Sequence, residues 1–107
     1  MKVDRVLKLQ VSEILTHVKK IAPGKSVELR IPNYTAIQCV SGSVHRRGTP
    51  SSVVEMIAQT LINLAEDSYK WEELCSIGMI SASSLNSNLK ELFINISKLK
   101  QNSRLEI

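Results

Sequence analysis

Aromatic side chains are nearly missing from this 107-residue chain, which has one Phe, one Trp and two Tyr. That excludes the stacking platform on which single-stranded nucleic acid is held, and it leaves packing to Leu, Ile and Val. Cysteine is scarce too: Cys39 and Cys75 stand alone with no CxxC, so neither a zinc site nor a disulfide framework is indicated, and both read as reduced thiols. The four glycines form neither GxGxxG nor GxxxxGK[ST], which removes the usual warrant for nucleotide chemistry. His17 and His45 are 28 positions apart, without HExxH, a His/Cys cluster or a GxSxG around any serine. No metal, no cofactor and no enzymatic activity are expected. No apolar run approaches the roughly 20 residues that span a bilayer. The start, Met1-Lys2-Val3-Asp4-Arg5, lacks the apolar core of a secretory signal, so the expected compartment is the cytoplasm.

What is present suits one small folded domain over residues 1–107. The apolar fraction is 43%, enough for a globule that buries roughly two-thirds of its unfolded surface. The net charge of +4 is uneven: residues 1–50 carry nine Lys/Arg against three Asp/Glu, and residues 51–107 carry five against seven. Such asymmetry favours an anionic partner, although solvated faces produce it as well.

Leu7, Val11, Ile14, Val18 and Ile21 fall on one stripe of a helix predicted from about 3 to 22, which Pro23-Gly24 stops. Val27-Glu28-Leu29-Arg30-Ile31 alternates with the period of a half-buried strand. Pro32-Asn33 supplies turn chemistry, and Thr35 to Val40 is again β-prone, so a hairpin spans Val27 to Val40. Its apolar face is read as Val27, Leu29 and Ile31, opposed by Ile37 and Cys39. Residues 41–52 are polar and rich in breakers and read as a loop, with room for a short strand at 44–46. Val53 to Glu66 is ambiguous, since Val54, Ile57, Leu61 and Ala65 fit a helix while Val53-Val54 favours a strand. A short helix is expected at Trp71 to Cys75, a strand at Met79 to Ser83, and a further helix carrying Leu89, Leu92, Phe93 and Ile96. Residues 98–107 are polar enough to fray. Together these elements give an α+β class.

The loop holds the chain's most distinctive polar group. Arg46 and Arg47 offer forked guanidinium donors, and Thr49 a hydroxyl, to a phosphate or carboxylate. Beside two arginines, His45 tends to stay neutral. Glu55 follows in the same segment, but one His and one Glu do not make a catalytic site. Trp71 fits either a membrane-interface anchor or, more commonly, a core position.

From Val27 onward the pattern VELRIP, AIQCV, His45-Arg46-Arg47-Gly48-Thr49-Pro50, Val53-Val54-Glu55, Trp71 and Gly78-Met79-Ile80-Ser81-Ala82-Ser83 resembles the bacterial sterol-carrier-protein orthologue family, typical of actinobacteria. The resemblance spans roughly residues 20 to 93. Related chains commonly have Asp-Pro where this one has Ile57-Ala58, which weakens a helix start here. The resemblance resolves the ambiguous segment: a strand at 52–56, then a helix from about 58 to 66. It implies a curved, mainly antiparallel sheet covered on one face by helices, with an apolar tunnel between the layers and no catalytic residues.

The expected function is non-catalytic binding of a fatty acyl, sterol-like or other apolar ligand. Ile37, Val54, Leu61, Leu64, Ile80 and Leu92 would line the site, with His45, Arg46, Arg47, Thr49 and Glu55 as polar or anion contacts. The alternative is an interaction domain with a collapsed core whose basic loop meets an acidic protein. Specific nucleic-acid binding lacks a reading-helix motif. A tunnel of about 300 Å³ left empty would cost roughly 7 kcal/mol, against a total stability of about 5 to 15 kcal/mol. The state of the space between sheet and helices therefore decides between the two readings.

Overall fold

The computed structural model describes residues 4–42, 52–83 and 88–105. The first helix, α1 (Arg5–Ile21), starts where Asp4 accepts hydrogen bonds from the amides of Val6 and Leu7 at 2.8 and 3.3 Å. That cap satisfies two of the amides a helix start leaves unpaired. Lys19 and Lys20 sit in the last turn, where cations oppose the negative end of the helix dipole. Val11, Ile14, Leu15 and Val18 are buried, and Leu7 and Ile21 pack half-buried against the same core.

Two strands follow as a hairpin, β1 (Val27–Ile31) and β2 (Thr35–Cys39), joined by a turn in which Tyr34 donates its amide to the Ile31 carbonyl at 3.0 Å. Pro32 fixes the first central residue of that turn and Asn33, at φ 70, accepts the left-handed second position. The pairing is antiparallel, with Val27 opposite Cys39 and Leu29 opposite Ile37. Next comes β3 (Ser52–Met56), which pairs with β1 in parallel, and then α2 (Ala58–Ala65), α3 (Trp71–Ser76) and β4 (Ile80–Ala82), the last antiparallel to β3. Among the described residues the sheet has the order β2-β1-β3-β4, with two of the three pairings antiparallel. A last helix, α4 (Lys90–Leu105), starts where the Asn88 side chain accepts from the Lys90 amide. It stays helical through the polar stretch from Lys98, whose Lys, Gln, Arg and Leu residues are good helix formers.

Alternation along the strands divides the sheet into two faces. Val27, Leu29, Ile31, Cys39, Val54, Met56 and Ile80 are buried toward the helices, while Arg30, Gln38, Glu55 and Ser81 are exposed on the other side. There Arg30 pairs with Glu28 on its own strand and lies beside Glu55 in register. Against the inner face α1, α2 and α4 pack on one another, and α3 packs on β4. The fold is α+β with helices on one face of the sheet. The loop residues 43–51, including the expected short strand, lie outside the described residues.

One contact fixes α1 against the hairpin. Gly24, at φ +150, passes so close to the end of β2 that a Cβ there would lie 2.2 Å from the Val40 carbonyl oxygen. Val40 donates its amide to the Ala22 carbonyl at 2.7 Å. Its own carbonyl accepts from both the amide and the hydroxyl of Ser26, at 3.0 and 2.8 Å. The Ser41 hydroxyl closes the same contact on the Pro23 carbonyl at 2.9 Å.

Three consequences can be measured. Gly24→Ala sets a methyl against backbone that cannot swing aside, so urea unfolding should show a loss of about 2 to 4 kcal/mol. At the start of α2, Ile57 occupies the cap position with φ −71 and ψ 160, caps nothing, and is 50% exposed. Ile57→Asp should therefore raise stability by about 0.5 to 1.5 kcal/mol, seen as a higher Tm. Burial pushes the Cys39 thiol up to about 11. The unfolded chain would then lose this proton first, so the contribution is fully present below pH about 9 and falls away as pH rises toward about 11, by roughly 2 to 3 kcal/mol. The difference between wild type and Cys39→Ala in chemical denaturation from pH 8 to 11 isolates it.

Candidate functional site

The residues expected to line a tunnel do not share an open space. Val54 and Leu61 are 0% exposed, and Leu64, Ile80 and Leu92 are buried in the same core. A void wide enough for water would leave measurable surface on its walls, so none touches Val54 or Leu61. Leu29, Val18 and Ile96, drawn from the sheet and two helices, are equally closed. The layer between sheet and helices is thus packed around these side chains. Ile37 stands apart, half-buried at the edge of the sheet. Glu55 is exposed on the outer face, across the sheet from the apolar candidates. His45, Arg46, Arg47 and Thr49 lie outside the described residues.

Open space is found at the margins of the helical layer. The larger cleft, of about 410 Å³, lies where the end of α2, the connection to α3, α3 itself and α4 diverge. Leu64, Trp71, Phe93 and Ile94 supply its apolar wall, and Asp67, Lys70, Glu72, Lys90 and Lys98 its polar rim. Trp71 and Phe93 stack at 6.2 Å between ring centroids with their planes 19° apart. Trp71 is only 6% exposed, so it serves as core and cleft wall at once. The cleft exists because α3 is short and turns away: Met79 donates its amide to the Leu74 carbonyl, and the chain leaves for β4 before α3 can fill the space beside α4. Tyr69, half-exposed, stands at the opening.

Charge on the rim is partly neutralised from within. Lys90 and Glu72 form an ion pair at 2.5 Å. Its hydrogen bond holds the Glu72 carboxyl below the ordinary carboxylate range and raises Lys90 above the usual lysine value. Lys70 and Lys98 form no ion pair among the described residues, leaving two cations against Asp67. A cleft of this chemistry suits a ligand with an apolar body and an anionic end.

The second opening, of about 330 Å³, separates α1 from β2. Val11, Leu15 and Ile37 are its apolar residues, Ser12, Thr16, Tyr34 and Thr35 add hydroxyls, and Lys8 and Lys19 stand on its rim. Among the described residues no three His, Cys, Asp or Glu side chains converge as a metal site would need. Nor is any described helix long and apolar enough to cross a membrane.

Reading the sequence singled out Leu64 and Ile37 from these two openings and missed the rest. Lys90, Ile94 and Lys98 recur every four residues along α4, off the buried stripe of Leu89, Leu92, Phe93 and Ile96, and that spacing was the available signal. The cleft itself joins segments from three helices and has no linear signature.

No curated protein matches the chain. A family model described as bacterial SCP ortholog, SCP being sterol carrier protein, matches residues 4–94. The match takes in α1, which the motifs from Val27 onward do not reach, and runs through the described strands past the first turn of α4. On the strength of this match, the chain belongs to the bacterial sterol-carrier-protein orthologue family.

Proposed function

We propose that this domain binds a lipid-class amphipathic ligand without chemically changing it, and that the ligand occupies the cleft between α2, α3 and α4. The observation that carries the reading is the pairing, in one open cleft of about 410 Å³, of the Leu64, Trp71, Phe93 and Ile94 wall with the Lys70 and Lys98 rim. The apolar body lies on the wall, and the two lysines meet the anionic end. Family membership supports binding of an apolar ligand, while the packed helix-sheet layer argues for a site at the margin of the helices. An open cleft filled with water carries no vacuum penalty of the kind an enclosed cavity would.

Magnitudes set the strength. Removing roughly 200 Å² of apolar surface from water is worth about 5 kcal/mol, and the ordering of ligand and lysines takes back a part of it. The expected Kd is on the order of 0.2 mM to a few mM. Since Trp71 is the single tryptophan and forms part of the wall, its emission reports occupancy directly. Titration with decanoate should shift that emission saturably. Lys70→Glu combined with Lys98→Glu should weaken binding about tenfold, and Ile94→Glu should remove it while leaving the thermal unfolding cooperative. A flat titration, together with native mass spectra free of bound decanoate, would overturn the proposal.

A further inference from the structure

One carboxylate already stands where the cleft offers a cation. Of the three described lysines on its rim, Lys90 is met by Glu72, and both side chains line the same open space. Glu72 belongs to the first turn of α3 and Lys90 to the start of α4, so the pair bridges the two helices. Asp67, the other acid on the rim, forms no ion pair among the described residues. The Glu72 carboxylate also lies in the field of Lys70, which together with Lys90 keeps it ionised. An anion bonded to one lysine and favoured by a second, beside an apolar wall, is what the head of a bound lipid acid would present there.

Exposure makes this contact exchangeable. The Lys90 side chain is 43% exposed and that of Glu72 58%, and ion pairs in such positions are weak. Tethering sets the threshold for displacing it. A group on a short link competes at an effective concentration on the order of millimolar, so a small free anion has to exceed that level. A lipid gains the difference from its apolar body on the Leu64, Trp71, Phe93 and Ile94 wall.

We infer that Glu72 is a built-in competitor for the ligand's head group: it fills the place of an anionic end on Lys90, and so sets how far the cleft favours an anionic lipid over an uncharged one. The inference rests on the cleft being the ligand site. Within that site Lys90 is a third head-group contact, held in reserve behind Glu72 and beside Lys70 and Lys98. A mere strap between α3 and α4 would behave differently, since its loss would alter the binding of charged and uncharged ligands alike.

The test titrates the full chain at neutral pH with octanoate and with 1,2-octanediol, an acid and an uncharged diol of one chain length, read by Trp71 emission. Glu72→Gln frees Lys90 with little change of shape and should strengthen octanoate relative to the diol about three- to tenfold. Adding Lys90→Gln to that variant should return the preference to the wild-type level or below. Glu91→Gln is the control for net charge. Glu91 is exposed and its charge is felt by Lys90, but it does not line the cleft. Its removal should leave the preference nearly unchanged. An equal gain for both ligands in Glu72→Gln would make the pair a strap and overturn the inference. So would a Glu91→Gln effect as large as that of Glu72→Gln. If wild type binds both ligands and Glu72→Gln shows the same preference, this inference alone falls. If wild type binds neither, the assignment of the cleft falls and this inference with it.

Discussion

The passage of Gly24 against the carbonyl of Val40 holds the two halves of the architecture together. The chain leaves α1, turns at Pro23-Gly24 and enters the central strand, and in that short stretch it is bonded to the far end of the hairpin by the Ala22, Ser26 and Ser41 contacts. Val40, a β-branched residue at φ 65, carries strain of about 1 to 2 kcal/mol. Four hydrogen bonds, each worth about 1 kcal/mol net, offset it. Fixed in this way, α1 lies beside β2 at a set distance, and its Val11 and Leu15 can close the core on one flank and line a groove on the other.

Between sheet and helices the described side chains are closely packed. Leu29 and Val54 from the sheet, Val18 from α1, Leu61 from α2 and Ile96 from α4 meet without leaving room for water. That is what a small domain with few aromatics does by default. It has little surplus stability with which to hold an empty interior, so flexible aliphatic side chains fill it. Open space is found at the margins, where α2, α3 and α4 diverge and between α1 and β2, and there solvent occupies it without the penalty of an enclosed void. The two openings differ in character. One is aromatic and partly charge-neutralised; the other is aliphatic, lined with hydroxyls and cationic at its rim.

Local patterns were legible from the sequence and long-range ones were not. The stripe from Leu7 to Ile21 and the alternation of Val27 to Ile31 mark α1 and β1 because each element is amphipathic over its own length. The hairpin was legible because Pro32-Asn33 dictates its turn, and the opposition of Leu29 and Ile37 follows from that register. Val53 to Glu66 was not decided by periodicity: a buried strand and a buried helix follow one another there with Ile57 as the only break, and only likeness to a family separated them. The wall of the larger cleft draws on Leu64, Trp71 and Phe93, which are 29 residues apart at their extremes. Each of them reads, correctly, as core. That a core side chain can also face a cleft depends on where a neighbouring helix stops.

The central strand also sets an order of assembly. β1 meets β2 across pairs as near as Ile31 and Thr35, four positions apart, whereas it meets β3 through pairs such as Val27 and Ser52, 25 positions apart. Loop closure makes the second pairing dearer by about 1.6 kcal/mol. A hairpin closes in about 1 to 10 µs, so β1 and β2 form a template early, and β3, α2 and β4 condense on it later. During that interval β1 keeps one edge free, and β3, arriving from 25 positions away, is the strand that closes it, so the parallel pairing at the centre of the sheet is completed only after the hairpin exists to receive it.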